Sequence, residues 1–181
     1  YNQLNGMIAL NRKISSYNMT YVHRAFSFES ALLDAALLFA EEEANTVLAG
    51  AFDEMTDEHF AVKKQWGYWK DEQINSLDLL RSQSKGTIAG EGAAFFILGR
   101  TKPEGAAIKI AAVQTMYSPS EEEVNAAIQH LLAENQLRPE DIDLFISGEN
   151  GDSQYAGAYR RVSGLFDQGR VAYFKHLCGE Y

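Results

Sequence analysis

Few residues in this sequence are of types that do chemistry. The single cysteine, Cys178, stands between Leu177 and Gly179 near the end of the chain. As a nucleophile it would need a base or a local positive field. Lys175 and His176 are near it in sequence, which is not yet geometry. The plainer reading is a small buried apolar thiol. The histidines are His23, His59, His130 and His176, and none stands at a metal-ligand spacing from another His or from the Cys. His59 and His130 fall on helical patterns and read as surface residues. Gly90-Glu91-Gly92 is glycine-rich but leads into a strand instead of opening a helix. It therefore lacks the context of a phosphate cradle and reads as a tight turn with close backbone approach. Asn150-Gly151-Asp152 follows an apolar strand and is a turn first. In parallel sheets such loops, at the carboxyl ends of strands, are also where sites form.

The elements that would position these residues alternate between strand and helix. From Ser27, the residues Phe28, Ala31, Leu32, Ala35, Leu38 and Phe39 recur at three- and four-residue intervals. That spacing predicts a helix ending near Glu42, with Ser27 as its N-cap. The acidic run Glu41-Glu42-Glu43 opposes the helix dipole there and should lie in solvent. Thr46–Gly50 and Ala93–Leu98 are apolar without alternation, as strands buried on both faces are. Asp57–Gln65 reads as a short helix and 66–84 as an irregular excursion. Ala107–Thr115 reads as a strand, after a turn at Lys102–Gly105 whose Pro103 could divide two halves. Glu121–Glu134 reads as an amphipathic helix capped by Ser118 or Ser120, with Val124, Ala127, Ile128, Leu131 and Leu132 inward. A strand at Ile142–Ser147, a helix at Ser153–Phe166 and a strand at Val171–Phe174 follow. Tyr21-Val22 is β-prone, and Asn2–Leu10 is too short to assign. The alternation favours an α/β fold with a largely parallel sheet.

Composition bounds the function. The chain has 181 residues, 46% of them hydrophobic and 23% charged, as in ordinary globular protein. Ten Phe and nine Tyr argue against disorder. A net charge of -9 argues against binding a nucleic-acid backbone, and no apolar run is long enough to span a membrane. One cysteine excludes an intrachain disulfide and fits a reducing compartment, hence a cytoplasmic setting. The chain opens on Tyr1 without a leader pattern, and both ends read as cut from inside a larger fold.

Four segments, in order, resemble the β-ketoacyl-acyl-carrier-protein synthases of the thiolase fold. Ala25–Ala35 followed by Val47–Glu54 resembles the family's cysteine-bearing elbow, its Ala-rich helix, and a strand ending Gly-Gly-x-(Asp/Glu). Lys85–Leu98, with Gly90, Glu91 and Gly92, resembles the Gly-(Phe)-x-x-Gly-Glu-Gly-Ala segment. Glu140–Asp152 resembles the strand leading into the His-Gly-Thr-x-Thr loop. Lys175–Glu180 resembles Lys-x-x-x-Gly-His. The run Thr20–Ala31 is most similar to a divergent, chain-length-factor-like group associated with flexirubin or aryl-polyene pigment clusters.

The resemblance implies a layered αβαβα fold, incomplete here. Residues 1–105 would be the C-terminal part of the first thiolase-like half plus an excursion. Residues 106–181 would be the N-terminal part of the second. It also implies no cofactor, an acyl carrier protein as partner, and a homodimer or a heterodimer with a synthase subunit. The carrier is acidic, so Arg12-Lys13, Lys63-Lys64 and Arg160-Arg161 are candidate docking pairs.

The departures decide the functional expectation. The family's nucleophilic cysteine falls on Ala25, whose methyl group cannot form a thioester. The first family histidine falls on Gly148, or on Glu149 if the loop shifts by one. The second falls on Glu180, while the motif lysine is kept as Lys175. Condensation in the family needs a thiolate and two imidazoles. The leading expectation is thus a non-catalytic partner of an active synthase. The alternatives are an active 3-oxoacyl synthase, acyltransferase or hydrolase with altered residues (Glu149, Asp152, Lys175, Glu180), or an interaction-only scaffold.

Overall fold

The computed structural model describes residues 3–102, 104–105, 108–166 and 169–181, with Arg24 described by its backbone alone. Pro103 and Ala107, on which the expected bend and the start of one expected strand fall, lie outside the described residues. The chain divides into two compact units that interleave in sequence: Tyr1–Ala51 with Ala94–Thr115, and Phe52–Ala93 with Met116–Tyr181. This division by contacts differs in kind from the sequential halves 1–105 and 106–181.

The first unit holds α1 (Gln3–Arg12), α2 (Ser27–Ala40) and most of a two-stranded sheet of β1 (Thr46–Asp53) and β2 (Gly92–Gly99). The expected helix from Ser27 forms, but its N-cap is Phe26, after a 3-10 turn at Arg24–Phe26. The Ser27 hydroxyl instead accepts the His23 backbone N–H at 2.9 Å. Glu41, Glu42 and Glu43 are exposed, as expected, and Arg100 offsets their charge by pairing with Glu42 at 2.9 Å.

The expectation of strands buried on both faces is corrected. Ala49 alone is buried in β1, and Phe95, Phe96 and Ile97 of β2 are exposed on alternating sides. A two-stranded sheet has too few neighbours to cover both faces. Residues 108–115 are not a strand either. Ile108 is 89% exposed, and no ladder partner holds the segment among the described residues. Tyr21-Val22 forms no strand, and of the unassigned Asn2–Leu10 the described residues from Gln3 on belong to α1.

The second unit holds the site. It comprises α3 (Asp57–Gln65), a 3-10 helix Ser76–Arg81, α4 (Glu121–Glu134), β3 (Leu144–Ser147), α5 (Ala156–Gly164), β4 (Arg170–Tyr173) and α6 (Lys175–Cys178). Both α3 and α4 have the bounds read from the sequence. Thr56 caps α3 by accepting the His59 N–H at 3.2 Å. Ser120 caps α4 through a capping box with Glu123, and this resolves the choice against Ser118.

β3 and β4 pair in parallel, with Leu144 opposite Arg170 and Ser147 opposite Tyr173. In β3 the side chains alternate. Phe145 stacks on Phe166 with ring centroids 5.0 Å apart, and Ser147 is buried, while Leu144 and Ile146 face outward. The expected excursion 66–84 is more ordered than its composition suggests. Trp69 pairs with Thr87 in a parallel bridge, and Leu79 of the 3-10 helix is fully buried. Among the described residues no helix is long and apolar enough to cross a membrane.

Candidate functional site

Two parallel neighbouring strands end side by side, so the loops that follow them start together. β3 runs out at Ser147 into Gly148-Glu149-Asn150-Gly151-Asp152. β4 runs out at Tyr173 into Phe174 and the single turn of α6. The chain then leaves α6 through Gly179, at φ 75°, and returns as a strand-like residue, Glu180. Glu180 bridges to Ala89 in parallel. Its N–H donates to the Ile88 carbonyl at 2.9 Å, and its carbonyl accepts the Gly90 N–H at 3.0 Å.

This close approach explains Gly90. A Cβ there would overlap the Cys178 carbonyl and lie 3.0 Å from the Gly179 Cα. A Cβ on Gly92 would lie 3.0 Å from the Tyr181 hydroxyl. The Gly-Glu-Gly motif is thus the groove into which the 178–181 segment fits, in line with close backbone approach and not with a phosphate cradle. Glu91 points elsewhere, accepting the Met55 N–H at 3.2 Å.

Glu180 is held at both oxygens. Lys175 Nζ donates to Oε1 at 3.0 Å, and the Asn150 side-chain amide donates to Oε2 at 3.1 Å. The Lys175 side chain is only 17% exposed, and its ammonium also lies over the Phe174 and Tyr181 rings, at 5.4 and 5.7 Å. Glu149 is buried after β3, its N–H donating to Ser147 Oγ at 3.2 Å. Asp152 is buried too and accepts the Gln154 N–H at 3.0 Å. Gly148 faces Tyr159 of α5. Burial pushes the Tyr159 phenol above its ordinary range, and the charges of Glu180, Glu149 and Asp152 push it the same way. Among the described residues no acidic, His or Cys group is arranged to hold a metal ion.

No protein-family model matches the chain, and no curated protein matches it by sequence. A crystal structure of a beta-ketoacyl synthase from Burkholderia phymatum STM815 does match in three dimensions. Its TM-score is 0.55 at 18% identity, over 83% of this chain and 41% of that one. The chain carries part of a thiolase-like α/β fold. It spans less than half the length of the synthase chain it matches.

Within that thiolase-like fold, Gly90, Gly92, Gly148, Glu149, Lys175 and Glu180 come together in the second unit. Ala25 lies in the first, exposed on the 3-10 turn that leads into α2. Cys178 is half-buried, not the buried thiol read from the sequence, and its sulfur lies 3.7 and 3.5 Å from the Phe174 and Gly179 carbonyls. Three contributors escaped the sequence reading. Lys70 and Thr87 pin the 148–152 loop, and Tyr159 packs beside Gly148. No spacing marks them: Lys70 sits in Trp-Lys-Asp, which reads as surface, and Tyr159 lies on a helix rich in arginine.

Proposed function

We propose that this chain is a β-ketoacyl-acyl-carrier-protein synthase-like subunit that does not itself condense, and that it acts beside a cysteine-bearing synthase in the manner of a chain-length factor. The observation that carries this reading is the closed state of Glu180. Where the family resemblance calls for an imidazole able to donate to an enolate or oxyanion, there is a carboxylate. An ionised carboxylate only accepts hydrogen bonds. Both of its oxygens are taken by Lys175 and Asn150, and in taking them Lys175 gives up its own freedom to stabilise a developing negative charge. At Ala25 the resemblance calls for a thiolate, and a methyl group supplies no nucleophile.

On this reading the acyl carrier protein is the shared partner, the synthase-like subunit lies in the cytoplasm, and the product belongs to aryl-polyene or related polyketide-type chains. The test is to expose the protein to acyl-loaded carrier protein and read its intact mass, alone and beside a cysteine-bearing synthase. The expected result is no acyl adduct on this chain, with product length changing only when both subunits are present. A stable adduct that survives Cys178→Ala would overturn the reading. Absence of any carrier or synthase binding would leave a scaffold instead.

A further inference from the structure

Two consecutive carbonyls of the 148–152 loop are gripped from the 69–87 segment. The Thr87 hydroxyl donates to the Asn150 carbonyl at 2.5 Å, and Lys70 Nζ donates to the Gly151 carbonyl at 3.0 Å. The same ammonium donates to the Ser84 carbonyl at 3.1 Å and to Ser84 Oγ at 2.9 Å. All three of its donors are therefore used, on acceptors from two separate segments. Lys70 is 6% exposed, and lysine is almost never buried unless paired. Burial pulls the Lys70 ammonium below the ordinary lysine range, and the carboxylates of Glu72, which accepts the Ser84 hydroxyl, and Asp152 act against that to hold the charge.

On its other side the loop is packed too closely to drift. Gly151 has φ 79°, and a Cβ there would lie 2.6 Å from the carbonyl of the buried Leu79.

We propose that Lys70 is the positioning residue of this loop: by tying the Gly151 carbonyl to Ser84, its buried ammonium sets Asn150 where the side-chain amide reaches Glu180. The inference rests on the hydrogen-bond geometry and stands apart from the proposed function. The Ser84 carbonyl also accepts the Ser153 backbone N–H at 3.2 Å, so without the ammonium it is the Gly151 carbonyl that loses its donor, and a buried acceptor left unpaired is costly. Asn150 keeps the Thr87 hydroxyl on its carbonyl and the Asp152 N–H on its Oδ1, at 3.2 Å, but loses the anchor of the next residue, and with it the placement of the amide that reaches Glu180. The ammonium is a compact centre that meets three acceptors at 2.9–3.1 Å; a guanidinium is a larger planar fork, so arginine is not expected to substitute.

The test is nuclear magnetic resonance on isotope-labelled protein. In the wild type, the Lys70 ammonium gives a protected signal with through-hydrogen-bond couplings to the Ser84 and Gly151 carbonyl carbons. In Lys70→Met, the Asn150 side-chain amide exchanges with solvent at least tenfold faster and the Glu180 carboxyl carbon shifts. In Arg161→Met, which removes a cation paired with Glu121 at 3.1 Å on α4, neither signal moves. A folded Lys70→Met with Asn150 protection unchanged overturns the proposal. If that variant does not fold, the wild-type couplings decide, and their absence overturns it equally.

Discussion

Gly90 and Gly179 meet backbone against backbone: a Cβ on Gly179 would lie 2.8 Å from the Gly90 Cα and 2.7 Å from the Ala89 carbonyl oxygen. Two segments some ninety positions apart thus require glycine for one shared reason. The contact places Glu180 beside Ala89 and within reach of Asn150, so the site is built on a backbone fit before any side chain takes part.

Gly90→Ala is expected to lower stability by about 1–3 kcal/mol, the usual range for forcing extra atoms into a packed site. Its methyl would run into the Cys178 carbonyl, which is backbone and cannot swing away. Gly6→Ala, on α1 with open space around it, is the control and should stabilise slightly if anything. Urea denaturation of both variants measures the difference, and equal midpoints would refute the close fit.

Glu180→Gln removes the counter-charge of a lysine that is 17% exposed while leaving a group of the same shape. The loss should be about 1–2 kcal/mol, below the full value for a buried charged hydrogen bond because Glu180 is itself 33% exposed. Thermal unfolding reads this directly. On the non-condensing reading, the same variant gains no acyl adduct.

Tyr159 carries a pH signature. Its phenol is pushed above the ordinary value of 10.0, first by burial and then by the nearby carboxylates. A group whose folded pKa is raised holds its proton longer in the fold than in the unfolded chain. Its contribution is therefore complete below pH 10.0 and is lost as pH rises from there through the folded pKa. Ultraviolet titration should show Tyr159 ionising after the ordinary tyrosines, as should Tyr21, also raised by burial and by Tyr17 and Asp34. In Tyr159→Phe one late step should vanish, and stability should fall less steeply above pH 10.0.

Ala25→Cys tests which departure matters. The position is exposed at the turn before α2, so iodoacetamide should label the new thiol. Incubation with malonyl-loaded carrier protein and an acyl donor should still give no condensation, because no imidazole stands at Gly148, Glu149 or Glu180. Condensed product would show that the carboxylates serve in place of histidines.

The sequence by itself determined the local elements whose periodicity is strong and whose caps are close at hand. The helices α3 and α4 have the read boundaries because Thr56 and Ser120 act on amides three residues away. The Gly-Glu-Gly segment was legible as a close approach, since only glycine lacks the atom that would collide, but not as the tight turn also expected: it runs from the Ala89 bridge into β2 without a turn. The loop after β3 was legible as a candidate site from its place at the end of an apolar strand, whereas the segment after β4 was marked only by the family resemblance. The burial of β1 and β2 was misread, because an apolar run records what a strand could bury and not how many neighbours cover it.

Only the tertiary structure decided what closes on Glu180. Lys175 is five positions away, Asn150 thirty, and Lys70 reaches Gly151 across eighty-one. The Lys175–Glu180 spacing is visible as a motif, but contacts across thirty and eighty-one positions leave no period or spacing in the chain. They exist because parallel strands align their ends and because buried polar groups must find partners wherever the fold brings them.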